Sequence, residues 1–130
     1  MSGIDTSNEI IPFDKKKNII LRTFFNIMDS WYISPTNQVS LLGFECIEDL
    51  IELKQPTMTS LTPDTLIRIS YILGIYKGLG ELFPTREQSD TWIHRPNQAF
   101  NGISAIEYMS QGTEVHLQKV REYIDAQKNI

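Results

Sequence analysis

The stretch Trp92-Ile-His-Arg95-Pro96-Asn97-Gln-Ala-Phe100-Asn-Gly102-Ile-Ser104 decides how this chain is read. Pro96 lacks an N–H and pushes His94 and Arg95 out of helical geometry, so a helix ends just before it. Asn97 and Gly102 tolerate the backbone angles of a tight loop. Ser104 and Glu107 have the spacing of a capping box, in which each side chain satisfies a free backbone N–H of a new helix. Trp92 and Phe100 flank the loop with large rings that would anchor it to a core. The segment is therefore an ordered helix–loop–helix connection. It reads either as a buried joint or, given its arginine, asparagine and aromatics, as a docking surface.

Beyond it, Ser104–Ser110 forms a two-turn helix stopped at Gly112. Thr113 is placed to cap a further helix that carries Leu117, Val120, Tyr123 and Ile124 on one face. Before it, Thr85 opens a short helix with Gln88 in capping-box position. Phe83-Pro84 closes a long helix running from Pro63 to about Leu82, with Thr62 as cap and Asp64 near the positive helix end. That helix is apolar nearly all round, including Leu66, Ile67, Ile69, Tyr71, Ile72, Leu73, Ile75, Tyr76 and Leu79. Such a helix is central or shared with a second subunit, so a homodimer is expected. Gly74, Gly78 and Gly80 weaken it and allow a bend or a close helix contact.

Further toward the start, Asn18–Tyr32 is helical, with Ile20, Phe24, Ile27, Met28 and Trp31 as its core stripe. Ser34-Pro35 caps a short helix that ends at Gly43. Glu45–Leu53 follows, with Ile47, Leu50 and Ile51 expected inward. Two short helices joined at a glycine resemble a helix-turn-helix. Pro56–Leu61 is a loop, and Met1–Phe13 reads as a mobile arm. No segment alternates convincingly as a strand, so the fold is expected to be all-α.

At 130 residues, 41 % of them apolar, the chain is expected to be one domain, or one domain with a small appendage, with a real core. A formal charge of −4 argues against a surface that grips nucleic acid everywhere. A local patch is left open: Lys15, Lys16 and Lys17 either form a solvated cluster or touch phosphate, and Asn37 and Gln38 offer polar contacts. Cys46, the single cysteine, cannot form an internal disulfide or a cysteine cluster and is expected half-buried. The N-terminus has no signal pattern and no apolar run spans a bilayer, so a cytoplasmic protein without membrane attachment is expected.

Catalytic sets are absent from the pattern. His94 and His116 lack partners at metal-ligand spacing. Serines lack a neighbouring base, and Gly78-Leu-Gly80 lacks the strand of a phosphate loop. Glu45, Glu48, Asp49 and Glu52 sit three and four apart on one helix with no wrapping loop, the pattern of a solvated acidic face and not of a calcium site. No cofactor, metal or enzymatic activity is expected.

From about Asn18 to Gln127 the chain resembles the Xre/MbcA/ParS antitoxin family of bacterial type II toxin–antitoxin pairs. The resemblance rests on Leu66–Lys77, Leu82-Phe83-Pro84, Trp92–Asn97, Phe100–Ala105 and Val120–Gln127. It implies an arm over 1–17, an Xre-like helix-turn-helix region over 18–83 and a toxin-binding region over 84–130. It also implies that the chain sterically neutralises a RES-type toxin that degrades NAD, with its C-terminal end covering the toxin's active-site entrance. On this resemblance the toxin-binding residues are Trp92, Arg95, Asn97, Phe100, Gly102, Arg121, Tyr123, Asp125 and Lys128. Arg121 and Lys128 are the candidates to meet acidic groups or occupy an anion site.

One departure bears on DNA. Family members commonly carry a basic, serine- and tryptophan-rich second helix, whereas Glu45–Lys54 has four acids before its first base. Carboxylates facing phosphates repel. The alternatives to an antitoxin are a DNA-binding regulator of helix-turn-helix type and a scaffold without a toxin.

Overall fold

A computed structural model describes residues 17–55 and 61–129. The arm with Lys15 and Lys16, and most of the Pro56–Leu61 loop, lie outside the described residues. Helix α1 covers described residues 17–30. It is followed by α2 (Pro35–Leu42), α3 (Ile47–Leu53), α4 (Pro63–Leu82) and α5 (Arg86–Trp92). A 3₁₀ turn (Gln98–Phe100), α6 (Ala105–Met109) and α7 (Glu114–Lys128) complete the order. The fold is all-α, and among the described residues the only extended pairing is an isolated bridge between Pro96 and Ser104.

Local chemistry sets the helix ends. Ser34 accepts from the Asn37 N–H and Thr62 from the Thr65 N–H, each at 3.2 Å, with proline at the first helical position of both helices. Thr85–Gln88 and Ser104–Glu107 both form complete capping boxes. Gly43 ends α2 in the left-handed region at φ 75°. Thr113 departs from expectation. It makes no side-chain cap, because its hydroxyl is hydrogen-bonded to His116 Nδ1.

α4 and α7 are the most extensively packed pair. They run parallel: Arg68 reaches the Gly112 carbonyl, Gly74 faces Arg121, Gly78 faces Ile124, and Glu81 pairs with Lys128. Phe24, Ile27 and Met28 of α1 and Trp31 just after it join Leu41, Leu42, Leu50, Ile69, Ile72 and Leu79 in one core. The expectation of an all-round apolar α4 is met only on one broad side. Ile67 is 43 % exposed, and Asp64, Ser70 and Lys77 face solvent.

Three more expectations are corrected. On α3 it is Leu50 and Leu53 that point inward, while Ile47 and Ile51 are 39 % and 53 % exposed. The helix is short and packs one narrow stripe on α2. Cys46 is exposed, because it precedes the first turn of α3. Gln38 is buried and donates its amide to the Ile33 carbonyl at 2.9 Å.

Arg68 ties α4 to the end of α2 and to the turn before α7. Its side chain is 9 % exposed, and its Nε donates to Asp64 Oδ2 at 2.9 Å. Nη1 donates to the Ser40 and Leu41 carbonyls at the end of α2, and Nη2 to the Gly112 carbonyl before α7. A planar fork of five donors is the side chain suited to three directions at once, and a cation suits the negative end of α2.

Candidate toxin-binding surface

The loop after α5 is closed by one residue. The Asn97 N–H donates to the Ile103 carbonyl, its own carbonyl accepts from Phe100 and Gly102, and its Oδ1 accepts from the Ala99 N–H at 2.9 Å. Asn97 itself is extended; the left-handed positions are Asn101 at φ 61° and Gly102 at φ 85°. A Cβ crowds the backbone carbonyl at such angles; glycine has none, and asparagine tolerates the region because its short amide can bond locally. Asn97 and Gly102 therefore shape the loop. His94 Nε2 donates to the Trp31 carbonyl, tying the loop to the end of α1. A carbonyl only accepts, so the imidazole carries its proton on that nitrogen.

The loop presents rings to α7. Trp92 stacks on Tyr123 at 6.2 Å between centroids and 19° between planes. Phe100 meets Trp92 and Tyr123 edge-on at 6.3 and 5.4 Å. Tyr108 stacks on Phe100 at 5.0 Å, and His116 caps the row at 4.7 Å from Tyr108. Such pairs prefer offset-stacked and edge-on geometry, so the row is rigid as well as apolar. Tyr108 and His116 were not among the residues expected here. The spacing that brings them in is local, since the capping box of α6 and the Gly112 turn place α6 against the first turns of α7.

Two depressions flank Tyr123. One, of about 320 Å³, is lined by Leu82, Phe83, Trp92, Tyr123, Ile124 and Gln127. The other, of about 450 Å³, has polar walls including Asn101, Lys119 and Glu122.

Charged groups run along the neighbouring face of α7. Arg121 Nε reaches both carboxylate oxygens of Asp125, at 3.2 and 3.4 Å. Its guanidinium lies across α4 at Gly74, in the space that a Cβ there would fill. Lys128 Nζ is 2.8 Å from Glu81 and 3.6 Å from Asp125. Arg95 is exposed on the loop, 3.5 Å from the Thr91 hydroxyl. Trp92, Phe100 and Tyr123 are thus brought together as one cluster and Arg121, Asp125 and Lys128 as another, while Arg95 stands apart from both.

The hydrogen bond from Lys128 holds the Glu81 carboxyl below its usual range, and the same bond pushes the Lys128 ammonium up. For Glu81 the linked stability is present above the unfolded carboxyl value and is lost as pH falls through the lowered one. For Lys128 it is present below the unfolded amine value and is lost as pH rises through the raised one. The pair is thus expected to give a flat stability contribution across neutral pH. Carbon-detected NMR titration of Glu81 is expected to return its carboxyl toward the ordinary value in Lys128→Met.

Residues 79–129 match the family model of the antitoxin Xre/MbcA/ParS C-terminal toxin-binding domain. An uncharacterized protein, y4oB, from Sinorhizobium fredii is 43 % identical over 108 residues, covering 83 % of each chain. The chain belongs to the Xre/MbcA/ParS antitoxin family. No solved structure gives a significant match. The ring row, both depressions and the charged face of this antitoxin lie within the matched span, apart from Gly74 beneath Arg121.

The residues considered for DNA sit differently in the antitoxin. Lys17 and Gln38 are buried, at 5 % and 6 % exposure, and Asn37 is half-buried. Gln38, with its amide given to a backbone carbonyl, is not presented to phosphate. Glu48 and Glu52 are exposed on α3. Among the described residues no group of His, Cys, Asp and Glu is arranged to hold a metal ion, and no helix is long and apolar enough to cross a membrane.

Proposed function

We propose that this antitoxin neutralises a RES-type, NAD-degrading toxin by covering its active-site entrance with the ring row and the outer face of α7. The observation that carries this reading is the convergence of half-buried Trp92, Tyr108 and Tyr123 around Phe100, which at 3 % exposure supports them from beneath and does not itself face a partner, within the toxin-binding domain. Interfaces draw most of their affinity from a few such rings, and rings already fixed by one another lose little entropy on binding. Arg95, Arg121, Asp125 and Lys128 surround them and set specificity through charge. The role is binding and not catalysis, in a cytoplasmic complex built on a homodimer.

The test is co-expression with the protein encoded by the adjacent reading frame, followed by co-purification and growth rescue. The wild-type chain is expected to form a stable complex and restore growth. Tyr123→Ala is expected to weaken the complex at least tenfold while retaining helical circular dichroism. Absence of any complex with the wild-type chain would refute the reading. Light scattering of the free antitoxin is expected to report a dimer.

α3 speaks against operator DNA as the main partner, since Glu48, Asp49 and Glu52 would face phosphates. In a mobility-shift assay on its upstream DNA at physiological salt, no sequence-specific shift is expected.

A further inference from the structure

We propose that the depression between the end of α4 and the end of α7 is a socket for one large uncharged side chain projecting from the toxin. This rests on the toxin-binding reading above and names what the surface grips.

The socket is walled by Leu82, Phe83, Trp92, Tyr123, Ile124 and Gln127, all inside the span 79–129 matched to the toxin-binding domain. Its walls are already fixed. Ile124 is fully buried against Gly78, Trp92 is held by two ring contacts, and the Phe83 N–H is bonded to the Leu79 carbonyl at the end of α4. A pocket that exists before binding pays no ordering cost when it is filled. Its volume of about 320 Å³ suits one large side chain and is too small for a helix.

Charge selects the occupant. The charged groups beside it, Lys128, Glu81 and Asp125, are bound to one another at 2.8 and 3.6 Å. A charged side chain entering the socket would lose water without gaining a free partner. An aromatic or branched aliphatic side chain gains apolar contact with Leu82, Phe83, Trp92 and Tyr123, and the polar part of the lining, Gln127 included, can bond a polar tip. The larger depression across Tyr123 differs in charge: it shares the rings Phe100, Tyr108 and Tyr123, but exposed Lys119 and Glu122 stand in its wall, so it does not select an uncharged occupant.

The chain has two tryptophans. Trp92 forms a wall of the socket, whereas Trp31 is fully buried in the core. Antitoxin labelled with 5-fluorotryptophan therefore carries one reporter at the site and one internal reference. On adding the adjacent-gene protein, the Trp92 fluorine signal is expected to shift and lose its solvent isotope effect while the Trp31 signal stays in place. Gln127→Trp, which fills the socket from a half-exposed position, is expected to weaken the complex at least thirtyfold. Glu48→Ala, exposed on α3 outside the matched span 79–129, is expected to stay within threefold. A complex that forms with the Trp92 signal unmoved, or with Gln127→Trp bound as tightly as wild type, overturns the socket and leaves the toxin-binding reading standing. Failure of the wild-type chain to bind overturns both.

Discussion

Gly78→Val is expected to lower the unfolding midpoint by roughly 10 °C, a loss of about 3 kcal/mol. A Cβ built at Gly78 falls 2.6 Å from Ile124 Cγ2. Ile124 is fully buried and its Cγ2 faces α4 directly, so the overlap pushes the two helices apart. Gly78→Ala is expected to lose less, because the overlap is smaller and alanine returns up to about 1 kcal/mol of helix propensity. Gly74→Ala is the informative contrast. Its Cβ would overlap Arg121, but there the obstacle is the end of a flexible side chain that is 38 % exposed. The guanidinium can swing away, giving up an exposed ion pair worth at most about 1 kcal/mol. Gly74→Ala is therefore expected to be neutral or slightly stabilising. Thermal unfolding of the two alanine variants, four residues apart on one helix, checks the sign of each.

Arg68→Ala is expected to cost about 3 kcal/mol, with denaturant unfolding as the measurement. Three carbonyls and the packing of a long side chain are lost together. Arg68→Lys is expected to recover little, since one ammonium cannot reach the end of α2 and the Gly112 turn at once. Asp64→Asn is expected to cost under about 1 kcal/mol, because the Asp64 side chain is 54 % exposed and its pairing is solvent-screened. A large loss in Asp64→Asn would mean that the ion pair, and not the carbonyl contacts, supplies the stabilisation.

Of these residues Gly78 was legible, since the glycines of α4 already allow a bend or a close helix contact, whereas Arg68 was not. The helix ends were legible because caps are local: Ser34, Thr62, Thr85 with Gln88, and Ser104 with Glu107 each bond within three residues. The anchoring of the loop by Trp92 and Phe100 was legible for the same reason, as both rings bracket a proline-fixed turn. Arg68 reaches 44 residues along the chain to Gly112, and no periodicity announces that. Gln38 was read as a surface amide because its type is usually exposed; a carbonyl left free at Ile33 draws it inward. On α3, Ile47 and Ile51 suggested an inward stripe, but the seven-residue helix buries only Leu50 and Leu53. In the candidate site, Trp92, Phe100 and Tyr123 followed from pattern and resemblance. Tyr108 and His116 needed the approach of α6 to α7.

The parallel pairing of α4 with α7 also governs how the molecule is made. When α4 leaves the ribosome, the flank bearing Gly74 and Gly78 is bare, because its cover has not yet been translated. At about 5–20 residues per second, α7 follows after an interval of roughly 2–9 s. Until then the ring row lacks Tyr123 and the socket lacks its α7 wall, so a nascent chain cut short before α7 is expected to hold no toxin. On the proposed reading, binding competence arrives in a single step, when the second helix settles alongside the first.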